Sequence, residues 1–531
     1  MSFEIIDRDL VGRIGTIKTK SGIVHTPTVF PVVDPVKNII SPNDMKKDFK
    51  INQLITNIYL IKQAVEKGKL HFNDVHTLLN FDGVIMTDSG AYQMLEYGKI
   101  SITPEEVIEL QEKINSDISV ILDVPTLKSY TRLEAEKSVI ATINNAMMLG
   151  NKKTRDDIIW VGPIQGGKYL ELVKKCAIKI SEMPFFQMYA IGGLTQYMKS
   201  YDFDKLIDII MTIKLSLPAN KPLHIFGAGH PILFSFLVAL GCDTFDSASY
   251  ALFAKDDRYM TPYGTVKFSN LKYLPCSCDV CRKYDVKDLI EINKKDREVL
   301  LAKHNLWVIT TEINSIKQAI YEGRLWELME VRSKAHPKLF NLLIKFKKYK
   351  KFIEKNDPLT KSVVRGIFCN SSHCLARPEI TRHLLRLKEN VSFTEKNILI
   401  LIPENTEYRK YAKYLLDKLL LYNDLFYKIH ICIYGFPFGI IPIELLEVYP
   451  LSQYEKPDIV DKESEKVILH ALKILIEKGN YNKVILIFNS NYMTKSSLKK
   501  LIRLLKYKGI KISLIFKKFP QFKIILEKIK Q

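Results

Sequence analysis

The 531-residue chain is 47% hydrophobic and 26% charged, the balance of an ordinary globular protein with roughly two to four domains. Eight cysteines are too few for a secreted disulfide framework, the N-terminus MSFEIIDRDL carries acids and no apolar leader, and no run reads as a membrane span, so a cytoplasmic protein with no membrane partner is expected. The net charge of +21 is uneven, since residues 361–531 hold 30 Lys and Arg against 16 Asp and Glu, and residues 483–531 hold 13 against the single acid Glu527. A basic region appended to a nearly balanced one points to a polyanion such as nucleic acid; a lysine-rich proteome would leave a similar composition.

From the N-terminus, eight strand-like runs alternate with helical segments. They are TPTVFPVV (26–33), QLITN (53–57), GVIMTDSG (83–90), ISVILDVP (118–125), DIIWVGPIQGG (157–167), QMYAIGG (187–193), PLHIFGAG (222–229) and CDTFDSAS (242–249). Helical patterning falls between them at 104–114, 132–149, 169–183 and 232–240. Eight apolar strands alternating with helices predict a parallel sheet closed into a (β/α)8 TIM barrel. The strands end in Asn57, Asp88, Asp123, Gln165, Gly192–Gly193, His230 and Asp246. Polar residues and glycines gathered at one end of apolar strands are the pattern of an active-site rim.

Asp246 closes the last of these runs and is followed by Ser247, Ala248 and Ser249, which leave its carboxylate at an open edge. Such an acid serves as nucleophile or base; an acid that only caps the next helix is the other reading. Asp88, in TDSGAYQ (87–93), is a second acid able to share acid/base and nucleophilic work with it, as paired carboxylates do in retaining glycosidases. Asp123 and Gln165, facing one cavity, could read the donor and acceptor edge of a planar heterocycle such as guanine. Glycines 192 and 193 would let the backbone approach a flat ligand, and Tyr92 could stack on it.

The run PCSCDVC (275–281) places Cys276, Cys278 and Cys281 at C-x-C-x2-C spacing, with His304 following in LLAKHNLWV (300–308). Three thiolates and one imidazole fill a tetrahedral shell, so one structural zinc per chain is expected. Cys369, His373 and Cys374 are crowded in FCNSSHC (368–374) and read as incidental.

Beyond this, KFKKYKK (345–351) reads as the end of a helix and a linker over 345–360. Strands then recur at 397–403, 428–435, 482–489 and 510–516, with helices at 406–421, 461–479 and 495–508, which predicts a small basic α/β region over 361–531.

Taken together, TDSGAYQ, ILDVPT, PIQGG, AIGGL, FDSASY and CSCDVC followed by His304 resemble, in order, the tRNA-guanine transglycosylase family, over roughly residues 1–340. FGAGHP, the run after Asp246 and EGRLWELMEVRSKAHPKL (322–339) look like its archaeal, archaeosine-type branch. The resemblance implies a catalytic barrel over 1–344 with an inserted zinc subdomain at about 272–340. It implies exchange of guanine at position 15 of the tRNA D arm for 7-cyano-7-deazaguanine through a covalent ribosyl-enzyme. Carried over by motif, Asp246 is the nucleophile and Asp88 the partner acid, with the two roles interchangeable between them, while Ser89, Tyr92, Asp123, Gln165, Gly192 and Gly193 hold the base.

Tyr92 stands where the family commonly has Phe. A non-catalytic tRNA-binding paralogue or accessory subunit would typically lose catalytic acids that are retained here, and an archaeosine synthase-like chain would carry a motif absent from ILIPENTEYRKY (400–411). A homodimer is expected. Full-length archaeal relatives usually end in a PUA domain, and none is read in 517–531, so tRNA grip is expected from the basic α/β region or from a separate PUA-domain protein.

Overall fold

In the computed structural model, which describes residues 3–71, 73–92, 102–361, 363, 365–389, 396–457 and 461–531, the eight apolar runs are eight parallel strands. They are Thr28–Pro31, Gln53–Asn57, Val84–Asp88, Ile118–Val120, Ile159–Ile164, Met188–Ile191, Leu223–Ile225 and Thr244–Ser247. The second to eighth pair in sequence order, and the first pairs with the eighth. Closure comes between the first and second, where Val32 bridges Ile55 and the Val33 N–H donates to the Ile55 carbonyl at 2.9 Å. The result is a (β/α)8 barrel.

Its interior is packed with side chains. Phe30, Ile55, Met86, Val120, Val161 and Met188 are all buried and form one cluster, each contributing about 1.5–3 kcal/mol by leaving water. Ile17 and Val24 join that cluster from a three-stranded antiparallel sheet, Phe3–Asp9, Gly12–Lys18 and Ile23–Thr26, which leads directly into the first barrel strand. That sheet therefore seals the end of the barrel opposite the rim. It was not foreseen, because the charged residues of FEIIDRD mask a strand whose burial alternates strictly along most of its length.

The surrounding helices start where local chemistry dictates. Pro104–Lys113 and Arg132–Lys152 each open on a reciprocal capping box, Thr103 with Glu106 and Thr131 with Glu134. After the barrel come a hairpin, Arg258–Thr261 with Gly264–Lys267, and the 28-residue helix Lys294–Tyr321.

Residues 1–345 and 357–363 form one compact unit, and residues 346–356 and 364–531 a second. The stretch expected as a linker is helical as far as Asn356, within Pro337–Asn356. The second unit is built on a five-stranded sheet ordered Gly439–Pro442, Ile429–Gly435, Ile398–Pro403, Lys483–Ile487 and Lys511–Ile515. Four of these strands are parallel, and only the short edge strand Gly439–Pro442 runs antiparallel. Among the described residues no helix is long and apolar enough to cross a membrane.

Candidate active site

Strand pairing decides which side chains meet at the rim. Asn57 and Asp88 end neighbouring strands in register. Asn57 Oδ1 accepts from the Leu60 N–H at 3.1 Å and caps the helix Ile58–Glu66, which turns its Nδ2 toward Asp88 Oδ2 at 3.2 Å. Backbone N–H groups of Ser89 and Gly90 also donate to Asp88. Burial, reinforced by the charges of Asp123 and Asp246, nevertheless pushes the Asp88 carboxyl up to about 7. Three acids thus share one small region, and one of them holds a proton near neutrality.

Asp123 lies three residues past the end of its strand, outside any strand or helix. It is almost wholly buried and accepts from Gln165 Nε2 at 2.6 Å. Gln165 Oε1 accepts in turn from the Thr126 N–H at 2.9 Å. Burial raises the Asp123 carboxyl to about 6, against the Gln165 bond that pulls it down. Gly192 lies against this pair, since a Cβ there would stand 2.1 Å from Gln165 Nε2 and 3.2 Å from Asp123 Oδ2. Gly193 has φ +74°, and its Cβ would meet the Thr126 carbonyl at 2.8 Å, so both conformation and space require glycine. Ser89 is fully buried, and its Oγ has no hydrogen-bond partner among the described residues. An orphaned hydroxyl beside Asp88 is a group left for a ligand. Tyr92 is 47% exposed, and Gln93 of the same motif lies outside the described residues.

Asp246, in the last strand, points one oxygen into the protein. Its Oδ1 accepts from the Gly227 N–H at 2.7 Å and lies 3.2 Å from His224 Nε2. Gly227 has φ +68°, a turn that aims its N–H at the carboxylate. The loop is tied down by Ser249 Oγ, which donates to the Gly229 carbonyl at 2.8 Å. His230, one of the polar strand ends, is a helix cap: its Nδ1 accepts from the Ile232 N–H at 3.2 Å.

Cys276, Cys278, Cys281 and His304 converge separately, their ligand atoms all within 4.8 Å of one another. His304 Nδ1 is 3.4 Å from both Cys278 Sγ and Cys281 Sγ, close to the edge of about 3.5–3.8 Å of a tetrahedron with zinc-like bond lengths. Its Nε2 donates to the Met260 carbonyl at 2.9 Å, which directs Nδ1 at the sulfurs as metal-bound histidines require. The cluster fits a metal ion. Cys369 and Cys374 are core residues.

Reasoning from the sequence did not assign Asn57, Thr126 or His224 to the site. Asn57 was visible as a polar strand end. Thr126 acts through its backbone, and His224 sits inside the apolar run PLHIF, so neither left a signal.

A family model described as queuine tRNA-ribosyltransferase matches residues 8–338. The chain is 39% identical over 496 residues to a tRNA-guanine(15) transglycosylase of Sulfolobus acidocaldarius, covering 91% of this chain and 95% of that protein. It is 41% identical over 505 residues to one of Methanococcus aeolicus, covering 92% and 74% respectively. It is 43% identical over 385 residues to one of Aeropyrum pernix, covering 72% and 74%.

Proposed function

The chain belongs to the queuine tRNA-ribosyltransferase family, and from that premise we propose that it exchanges guanine 15 in the D arm of tRNA for 7-cyano-7-deazaguanine, an early step of archaeosine biosynthesis. The observation that carries this reading is the meeting of Asp88, Asp123 and Asp246 at one barrel mouth, with Asp88 raised to about 7. The target nucleotide leaves the tRNA stack to enter that mouth. Asp246 uses its outward Oδ2 to attack C1′ of the ribose, and the bond from C1′ to the base N9 breaks as the bond to Oδ2 forms. Asp88 supplies the proton that the departing base takes up. The incoming base then returns a proton to Asp88 and displaces Asp246 from C1′, so two inversions give net retention.

Asp123 and Gln165 read the edge of the base, the Ser89 hydroxyl contributes a further hydrogen bond, and Gly192 and Gly193 keep the floor of the pocket open. Tyr92 covers the exposed face of the base by stacking. Cys276, Cys278, Cys281 and His304 hold one zinc. Four protein ligands leave no position for substrate, so its role is to hold the fold.

The exposed face of helix Lys495–Tyr507 carries Lys495, Lys499, Lys500, Arg503 and Lys506. This supports a phosphate-binding role for the basic region, which positions tRNA without reading sequence. The test is exchange of radiolabelled guanine out of tRNA by wild type and Asp246→Ala. The variant should bind tRNA and exchange nothing; exchange near the wild-type rate would refute the nucleophile assignment. A mass measurement of the product nucleoside with each candidate base identifies the incoming base.

A further inference from the structure

We infer that His224 is a positioning residue for the exchange reaction: it fixes one oxygen of Asp246 so that only the other faces the substrate. The inference rests on the reading of Asp246 as nucleophile. His224 lies in the seventh barrel strand, in register with Thr244 of the eighth. Thr244 and Asp246, two residues apart on one strand, point to the same side of the sheet. The imidazole lies between them, with Nδ1 2.9 Å from Thr244 Oγ1 and Nε2 3.2 Å from Asp246 Oδ1. It is completely buried and walled by Phe226 and Phe30, whose ring centroids are 4.8 and 6.1 Å away.

The protonation pattern follows from these partners. An ionised carboxylate only accepts, so Nε2 carries a hydrogen and donates to Oδ1. Nδ1 faces the Thr244 hydroxyl, so one continuous chain runs from Thr244 through His224 to Asp246. Asp246 Oδ1 thereby receives two N–H donors, from His224 and from Gly227. Both its rotamer and its inward oxygen are taken. The donors hold the carboxylate at the angle from which Oδ2 meets C1′. They also remain in place when Oδ2 becomes the ester oxygen of the ribosyl intermediate and Oδ1 its carbonyl. The ring is walled off by two phenyl groups and touches Asp246 and not the base, so its contribution belongs to the rate of the covalent step and not to tRNA or base affinity.

The test uses the full-length protein, tRNA and radiolabelled guanine, with His224→Phe, His224→Gln, Thr244→Val and Asp246→Ala measured together. Removing the donor in His224→Phe should lower kcat by about 10²-fold, the penalty expected for a reacting group misplaced by about 1 Å, with the KM for tRNA and for guanine unchanged. His224→Gln, which restores an N–H near the Nε2 position, should recover most of that loss. Thr244→Val, which removes only the hydroxyl that holds the far side of the ring, should fall in between. Folded concentration, counted as tRNA bound at saturation in a gel shift, corrects each kcat for unfolded protein. A wild-type corrected kcat in both His224→Phe and Thr244→Val would overturn the inference, as would a loss that appears only in KM. Asp246→Ala separates the two claims. If it still exchanges, the premise has failed; if it is dead while His224→Phe is fully active, only the positioning role has failed.

Discussion

Gly192→Ala tests the base pocket with one methyl group. The added Cβ would stand 2.1 Å from Gln165 Nε2, whereas ordinary contact needs about 3.5 Å, so the amide must retreat by about 1.4 Å. A free glutamine would swing away at little cost. This one is held at both ends, by Asp123 Oδ2 at 2.6 Å and the Thr126 N–H at 2.9 Å. A retreat of that size breaks the bond to Asp123, which is worth about 1.5–3 kcal/mol because it involves a carboxylate. Gly192 is not among the positive-φ glycines, so alanine brings no backbone strain to confuse the result. The expected outcome is a loss of about 10- to 150-fold in kcat/KM for guanine exchange, with tRNA binding by gel shift unchanged. In a Gln165→Ala background the methyl group meets only Asp123 Oδ2, at 3.2 Å, which need give by only a few tenths of an ångström. There Gly192→Ala should cost less than about threefold, a coupling that a double-mutant cycle reads directly. Additive losses, or wild-type kcat/KM in the single variant, would refute the geometry of the pocket.

With its carboxyl raised to about 7, Asp88 is protonated and ready to donate below that pH. The pH profile of kcat/KM should fall as pH rises through about 7, and Asp88→Asn should abolish activity rather than shift the limb. Asp88 and Asp123 are both raised, to about 7 and about 6. The folded chain therefore binds more protons than the unfolded chain between about pH 4 and 7, and stability falls as pH rises across that window. Urea denaturation of Asp88→Asn should show a flatter pH dependence than wild type. Metal analysis should find about one zinc per chain, and Cys278→Ala should lose the metal and lower Tm; an equally stable metal-free chain would refute a structural ion. Replacing Lys499, Lys500, Arg503 and Lys506 by Gln should raise the tRNA KM and flatten its salt dependence by about 0.9 for each phosphate no longer neutralised, with kcat at saturating tRNA unchanged.

A truncation at residue 483, which the charge distribution alone would suggest, would cut into the sheet of the second unit. Strands Lys483–Ile487 and Lys511–Ile515 belong to the five-stranded sheet, and Val484, Ile485, Leu486 and Ile487 are buried in its core. Removing them would unfold the second unit instead of stripping a basic tail. The charge lies on the outer face of a helix whose Leu498, Leu501 and Leu505 are buried.

What could be read from the chain follows from how far each signal reaches along it. The barrel strands announce themselves as apolar runs closed by polar residues, and the cysteine cluster by its spacing, because both are local patterns. His304 was legible only as the fourth donor that three cysteines require. The Asn57–Asp88 contact depends on the register of two strands, and the Gln165–Asp123 contact on side chains 42 residues apart. His224 is the sharpest case. In sequence it is one polar residue in an apolar strand, and its meaning appears only when the eighth strand sets Thr244 and Asp246 on either side of it. The opening strand Phe3–Asp9 was missed for a different reason: its alternating burial was present in FEIIDRD but hidden by charge.

The central claim is that Asp246 carries the ribose between two bases. Trapping the tRNA adduct with a slowly displaced base, digesting the complex and sequencing the labelled peptide by mass spectrometry tests it directly. The account predicts a ribosyl-nucleotide mass on Asp246 of the wild-type chain and no adduct in Asp246→Ala. A label on Asp88, or exchange without any covalent adduct, would contradict it.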